Sequence, residues 1–349
     1  MENAMTLTFD SRTYEIDALT YTGQAAILGR LISDVMLSPS DRTAICKSAA
    51  ELVRKVRGST APGLMEVFLA EYGLSTEEGV ALMCLAEALL RVPDADTIDA
   101  LIEDKIAPSN WSRHLGKSTS PLVNASTRAL MLTGKVLDDD APGPAHVLRS
   151  AIKRVGEPVI RNAVSRAMKE MGRQFVLGET ITAAMDRAVG MEKRGYTYSY
   201  DMLGEAARTQ ADAARFHLSY SRAIAAIAGA CTSNDIRENP GISVKLSALY
   251  PRYEVARREA VLQELVPRLR SLALLAKSAN MGLNVDAEEA DRLSLSLEVM
   301  SRVLAEPALT GWDGFGVVVQ AYGPRAGAVI DTLYDMAEAH DRRLMVRLV

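Results

Sequence analysis

The pattern of apolar positions changes character near residue 180. Before that point the apolar residues recur at helical spacing. The run after the capping-box sequence Ser75-Thr-Glu-Glu78 sets Val80, Leu82, Met83, Leu85, Leu89 and Leu90 on one broad face, which must bury against other helices. Ser-Pro-Ser-Asp-Arg at 38–42 opens another helix, and Pro62 stands near the start of a further one, where a missing N–H costs little. A short helix is predicted from Asp94 to Lys105. The acidic, turn-rich stretch from Asp138 to Pro144 reads as a linker, followed by helical sequence to about residue 175. The first half is therefore expected to be all-α.

After residue 180, short β-rich runs alternate with long amphipathic helices. The predicted strands are Tyr196–Met202, Ile242–Leu249, Gly282–Glu288, Phe315–Tyr322 and Leu344–Val349. The helices between them cover about Thr209–Ala230, Arg257–Ala279, Ala290–Ala305 and Ala326–His340. Parallel neighbours need crossovers, so this rhythm makes a parallel sheet. It fits an open doubly wound sheet as well as a closed barrel. Asp201, Lys245, Asp286, Glu288, Gln320 and Arg347 fall in the strands or at their carboxyl ends. In a barrel those ends converge on one mouth, whereas an open sheet concentrates its site at one switch point. Five strands that each offer a polar group favour the barrel. The segments expected are 1–137, 138–180 and 181–349.

Composition narrows the function. The chain has 349 residues and is 48% hydrophobic, which permits a large core. A formal charge of −4 with no basic stripe, and 5% aromatic residues, argue against a nucleic-acid surface. Cys46, Cys84 and Cys231 are widely spaced in apolar helical patterns and read as reduced core thiols of a cytosolic protein. His114, His146, His217 and His340 show no paired metal spacing. The fifteen methionines read as helical core filling. The amino terminus carries no signal-peptide pattern, and no apolar stretch reaches the ~20 residues of a membrane span. No glycine-rich dinucleotide fingerprint follows a predicted strand, and no Walker motif is present.

The charges in the strands need an explanation, because buried charge is unfavourable unless paired. Asp286 and Glu288 are two residues apart, so on one strand they point to the same side and require a cation nearby. Salt bridges at a barrel rim would satisfy these groups without function. A polar pocket for a small charged ligand and a cofactor would satisfy them with one. A Schiff-base lyase using Lys245 is a further reading, since burial can lower a lysine pKa.

Five stretches carry a resemblance. They are Tyr198–Ala206, Ile242–Arg252, Asn284–Arg292, Val319–Tyr322 and Arg343–Val349. In this order they resemble successive strands of the proline dehydrogenase module of the bacterial proline utilization A family, from about residue 170 onward. The helical first half is similar to that family's arm and helical domain. The resemblance implies a partial (β/α)8 TIM-like barrel, its first five strands, preceded by an all-α domain. It implies non-covalent FAD, oxidation of L-proline to 1-pyrroline-5-carboxylate, and electrons passed to membrane quinone. The implied setting is a cytoplasmic homo-oligomer with peripheral association at the inner face of the membrane.

Carried over, Arg347 would lie near the flavin N5 and Gln320 would bond the flavin ring. Lys245 would hold the proline carboxylate, Asp201 would sit by the substrate ring, and Asp286 and Glu288 would order the pocket. Arg347, Lys245 and Asp286 are thus the expected catalytic set. Arg347, Gln320 and Asp286 would bind the cofactor, and Lys245, Asp201 and Glu288 the substrate. The family continues past the fifth strand with a Lys-Gly-Ala-Tyr-Trp motif, and this sequence ends at Val349, so about half the pocket is expected here. A non-catalytic assembly module of the same family is the alternative. The start of the chain lacks a ribbon-helix-helix pattern, so DNA binding is not expected.

Overall fold

A computed structural model describes residues 12–58, 97 and 176–349. The chain divides into two compact units, Met1–Met36 with Gly178–Val349, and Leu37–Leu177. The helices expected around Ser75–Leu90, at Asp94–Lys105 and at 145–175, with Cys84, His114 and His146, lie outside the described residues apart from residue 97, which is helical.

In the sheet-bearing unit, a helical segment at 12–18 precedes α1 (Gln24–Val35). In the other unit, α2 (Pro39–Arg57) starts where its sequence dictates. The Ser38 hydroxyl accepts from the Asp41 N–H at 3.1 Å, and the Asp41 carboxylate accepts from the Ser38 N–H at 3.0 Å. The Ser38 hydroxyl, which also donates to the Asp41 carboxylate at 2.6 Å, and then the Ser38 N–H hold the Asp41 carboxyl below its usual range. Cys46 on this helix is exposed, so it is not the core thiol expected from its apolar neighbours. Cys231 is half-buried, and burial raises its pKa, as for an unreactive thiol.

The rest of the sheet-bearing unit runs α3 (Ile181–Glu192), β1 (Ser199–Asp201), α4 (Gln210–Ala228), β2 (Gly241–Val244), α5 (Leu246–Leu249), α6 (Arg258–Ser278), β3 (Leu283–Val285), α7 (Leu293–Leu304), β4 (Phe315–Val319), α8 (Ala326–Ala339) and β5 (Met345–Leu348). All strand pairs are parallel, in the order β1-β2-β3-β4-β5. A strictly sequential order has no switch point. That is the order of a β/α barrel, and it rules out the doubly wound alternative for these strands.

Each strand is shorter than its sequence pattern predicts. The largest difference follows β2, where Leu246–Leu249 forms a helical turn and not the second half of a strand. Continuous apolarity cannot separate a buried strand from a buried helical turn.

Register puts two kinds of side chain on opposite faces. Tyr200, Ile242, Leu283 and Phe315 form one row, and Val244, Val285, Val317 and Val346 another. Between them runs the row Asp201, Ser243, Asn284, Gly316 and Met345. With period 2 the apolar rows share one face and the mixed row occupies the other. β2, β3 and β4 are buried along their whole length, as strands packed on both faces must be. The helices supply a continuous core from Ile224, Ile227, Leu265, Leu269, Leu272, Leu297 and Val303.

Candidate active site

The polar face delivers its charges to the carboxyl ends of the strands. Lys245 follows β2 directly, in extended conformation, and its ammonium meets three carboxylates. Nζ lies 2.7 Å from Asp201 Oδ1, 3.1 Å from Asp286 Oδ2 and 3.2 Å from Glu205 Oε1. Arg347, on β5, reaches the other oxygen of Asp286 at 3.8 Å, and its Nη1 donates to the Ser243 hydroxyl at 3.4 Å. Ser243 in turn shares a 3.1 Å hydrogen bond with Ser199. Residues from β1, β2, β3 and β5 thus converge through one network.

The electrostatics follow from this geometry. Burial works against the Lys245 charge, but the hydrogen bonds it donates to Asp201 and Asp286 and the nearby Glu205 carboxylate outweigh it, so the pKa lies above the ordinary lysine value. Lys245 is therefore an ammonium at neutral pH, the opposite of what the Schiff-base lyase reading requires. Burial raises the Asp286 pKa, against the opposing pull of Lys245 and Arg347. Burial also raises that of Glu288, offset in part by its bonds from Ser247.

Glu288 corrects one expectation. β3 ends at Val285, so Asp286 and Glu288 lie in the loop beyond it and are not bound to strand alternation. Asp286 turns to Lys245 and Arg347. Glu288 turns to Ser247, accepting from its N–H at 3.0 Å and from its hydroxyl. The two carboxylates do not share a cation. Gln320 donates from its carboxamide nitrogen to the Glu288 carbonyl at 3.1 Å, which ties the β4 end to the β3 loop. Asp286, Glu288 and Gln320 line one cleft, backed by Tyr253, Leu297 and Met300. Lys245 and Arg347 do not line that cleft, and Asp286 is the residue common to both groupings.

Several site residues carried no signal strong enough to be picked out. Glu205 sits in a loop after β1, where an acidic residue normally reads as solvated, yet its side chain is only 1% exposed. Tyr220 and Ser243 read as core and as an uncharged strand position. Asn284 is 9% exposed, and its carboxamide packs over Gly316, where a Cβ would stand 1.9 Å from its oxygen. Gly316 therefore leaves room for a polar group inside the sheet's mixed face.

Sequential parallel strands with an ion-paired cluster at their carboxyl ends define a β/α-barrel domain, and residues 184–349 match the family model described as proline dehydrogenase. Residues 64–175 match the model described as the DNA-binding domain of proline dehydrogenase. The chain belongs to the proline utilization A family. Bifunctional protein PutA of Salmonella typhimurium is 49% identical over 324 residues, covering 91% of this chain and 24% of that protein. PutA of Escherichia coli is 50% identical over 308 residues, covering 87% and 23%. A crystal structure of a Bradyrhizobium japonicum proline utilization A mutant superposes with TM-score 0.64 at 44% identity, covering 95% of this chain and 33% of that one.

The chain thus spans about a quarter of the length of these curated relatives. The match of residues 64–175 to a family described as DNA-binding runs against the expectation, drawn from charge and aromatic content, of no nucleic-acid partner. Those residues lie outside the described ones except for residue 97. No helix among the described residues is long and apolar enough to cross a membrane.

Proposed function

We propose that this chain carries part of a flavin-dependent proline dehydrogenase, which oxidises L-proline to 1-pyrroline-5-carboxylate and passes the electrons to membrane quinone. The observation that carries the reading is the Lys245–Asp286–Arg347 chain at the carboxyl ends of β2, β3 and β5, inside the residues that match the proline dehydrogenase family. FAD, when bound, would accept the hydride from the proline ring.

The residues present suit that cofactor. Arg347 offers a cation held by Asp286 and Ser243, in a position to balance charge gained by a reduced ring. Gln320 uses its carboxamide nitrogen on Glu288, and its carboxamide oxygen has no partner among the described residues, so one acceptor remains for a ring N–H. Asp286 braces Arg347. Glu288, by fixing Ser247 and receiving Gln320, orders the loops that carry both.

The charge count supports a zwitterionic substrate. Lys245 and Arg347 supply two positive charges against three negative ones from Asp201, Glu205 and Asp286. A plain anion would meet excess negative charge. A cyclic amino acid can place its carboxylate on Lys245 and its ammonium toward Asp201 at the rim. Lysine suits the carboxylate as a compact point charge.

We place this activity in the cytoplasm, in a homo-oligomer that meets quinone at the inner face of the membrane. The test is to titrate the chain with FAD, follow quenching of flavin fluorescence, and then add L-proline and a dye acceptor. Flavin uptake with proline-dependent dye reduction supports the reading. Folded protein that ignores FAD, or dye reduction indifferent to Lys245→Ala, overturns it.

A further inference from the structure

Tyr220 lies on α4 and is fully buried. Its hydroxyl accepts from the Lys245 backbone N–H at 3.2 Å and donates to Glu205 Oε1 at 3.1 Å. The same Glu205 oxygen stands 3.2 Å from Lys245 Nζ. The contacts close a ring that leaves Lys245 through its main chain and returns to its own ammonium. β1 ends at Asp201, and the backbone N–H of Lys245 is taken by this side chain from a helix.

We propose that Tyr220 is a positioning residue, which fixes where Lys245 presents its ammonium to a bound carboxylate by holding the lysine main chain directly and its ammonium through Glu205. Three features support this. Glu205 is almost wholly removed from water, so the Tyr220 hydroxyl and the Lys245 ammonium are the partners that satisfy its carboxylate. The other two carboxylates around Lys245 are more exposed, with side chains 40% and 15% accessible for Asp201 and Asp286. Burial and the adjacent Glu205 carboxylate raise the Tyr220 pKa, so its proton stays in place and is not a proton source for the reaction. Tyr220 acts on Lys245 and touches no substrate.

The proposal rests on reading Lys245 as the carboxylate anchor, and one arm of its test is independent of that reading. In that arm Lys245 is acetylated with acetic anhydride and quantified by peptide mass spectrometry against the exposed Lys193 of the same molecule. In Tyr220→Phe, Glu205 loses a donor and the ring that holds it against the Lys245 ammonium opens. Lys245 then becomes a stronger competitor for acetylation, about tenfold for each unit by which its pKa falls. Glu205→Gln should reproduce the rise, and adding Tyr220→Phe to it should add less than Tyr220→Phe does alone, because only the main-chain bond is left to lose. Unchanged labelling in folded Tyr220→Phe, or full additivity of the two substitutions, overturns the proposal. If Tyr220→Phe does not fold, Glu205→Gln decides: unaltered Lys245 reactivity breaks the ring.

The second arm measures proline oxidation. KM for proline should rise more than kcat falls in Tyr220→Phe, whereas a loss confined to kcat overturns the positioning role. A labelling response in a chain that does not oxidise proline would sustain the positioning role while removing the substrate reading.

Discussion

Glu288 shows how burial of one carboxyl converts into a pH dependence. Its pKa is raised, chiefly by burial, so between the ordinary glutamate value and the folded value the native state binds more protons than the unfolded chain. Stability therefore falls as pH rises through that window, and the loss is complete above it. Glu288→Gln keeps an acceptor for Ser247 and removes the titration. Urea unfolding at pH 4 and pH 7 should show the variant gaining on the parent at the higher pH, and a constant difference would refute the assignment. Arg347 permits a sharper test of chemistry. Its Nη1 donates to Ser243 and faces Asp286, contacts a flexible ammonium cannot reproduce together. Arg347→Lys should keep the fold and cut the rate of proline-dependent dye reduction by about 10²-fold, the size seen when one preorganised electrostatic group is lost. An undiminished rate would detach Arg347 from the reaction. Lys245, Asp286 and Arg347 could be picked from sequence because charge is out of place beside buried strands. Glu205 and Tyr220 could not, since each follows the ordinary habit of its element and only the fold brings them together.

Among the elements, β3 and β4 carry the tightest constraint. Asn284 and Gly316 are register partners, and the asparagine fills the volume that any side chain at 316 would need. The nearest obstacle is a side-chain oxygen, which can rotate, but the Asn284 Cα is 3.3 Å from the same Cβ position and moves less easily. Gly316→Ala should therefore cost about 1–3 kcal/mol, in the range of overpacked cores. Asn284→Ala in the same molecule should recover most of that. Denaturant midpoints for the two single variants and the double variant decide the matter: equal losses in the single and double variants would mean that backbone contact dominates. The alternation of strands and helices was legible because long amphipathic helices leave a strong period, and parallel strands need crossovers. The strand ends were not. Leu246–Leu249 continues the apolar run of β2, and only the turn after Lys245 shows that the sheet has stopped.

On the scale of the whole molecule, the amino-terminal segment belongs with the sheet-bearing unit although more than 140 residues separate them. Three polar contacts join it to the later helices. Arg12 Nε donates to Asp335 at 2.7 Å, the Ser294 hydroxyl donates to Asp17 at 2.5 Å, and Arg325 Nη1 donates to Thr20 at 3.4 Å. Helical periodicity gave no hint of this docking, because a contact across more than 270 residues leaves no local pattern. The polar contacts are not its main support. Arg12 and Asp335 have side chains 34% and 37% exposed, and a pair so open to water contributes about 0–1 kcal/mol. Ile16, on the same segment, is completely buried, and truncating a buried isoleucine to alanine costs about 2–5 kcal/mol. Ile16→Ala should thus lower the unfolding midpoint well beyond Arg12→Ala and open the segment to proteolysis near residue 20. Salt separates the two contributions as well: raising ionic strength should erase the Arg12→Ala difference and leave that of Ile16→Ala in place. If Arg12→Ala proves the more damaging change, the segment is held by charge, and the apolar anchor at Ile16 is wrong.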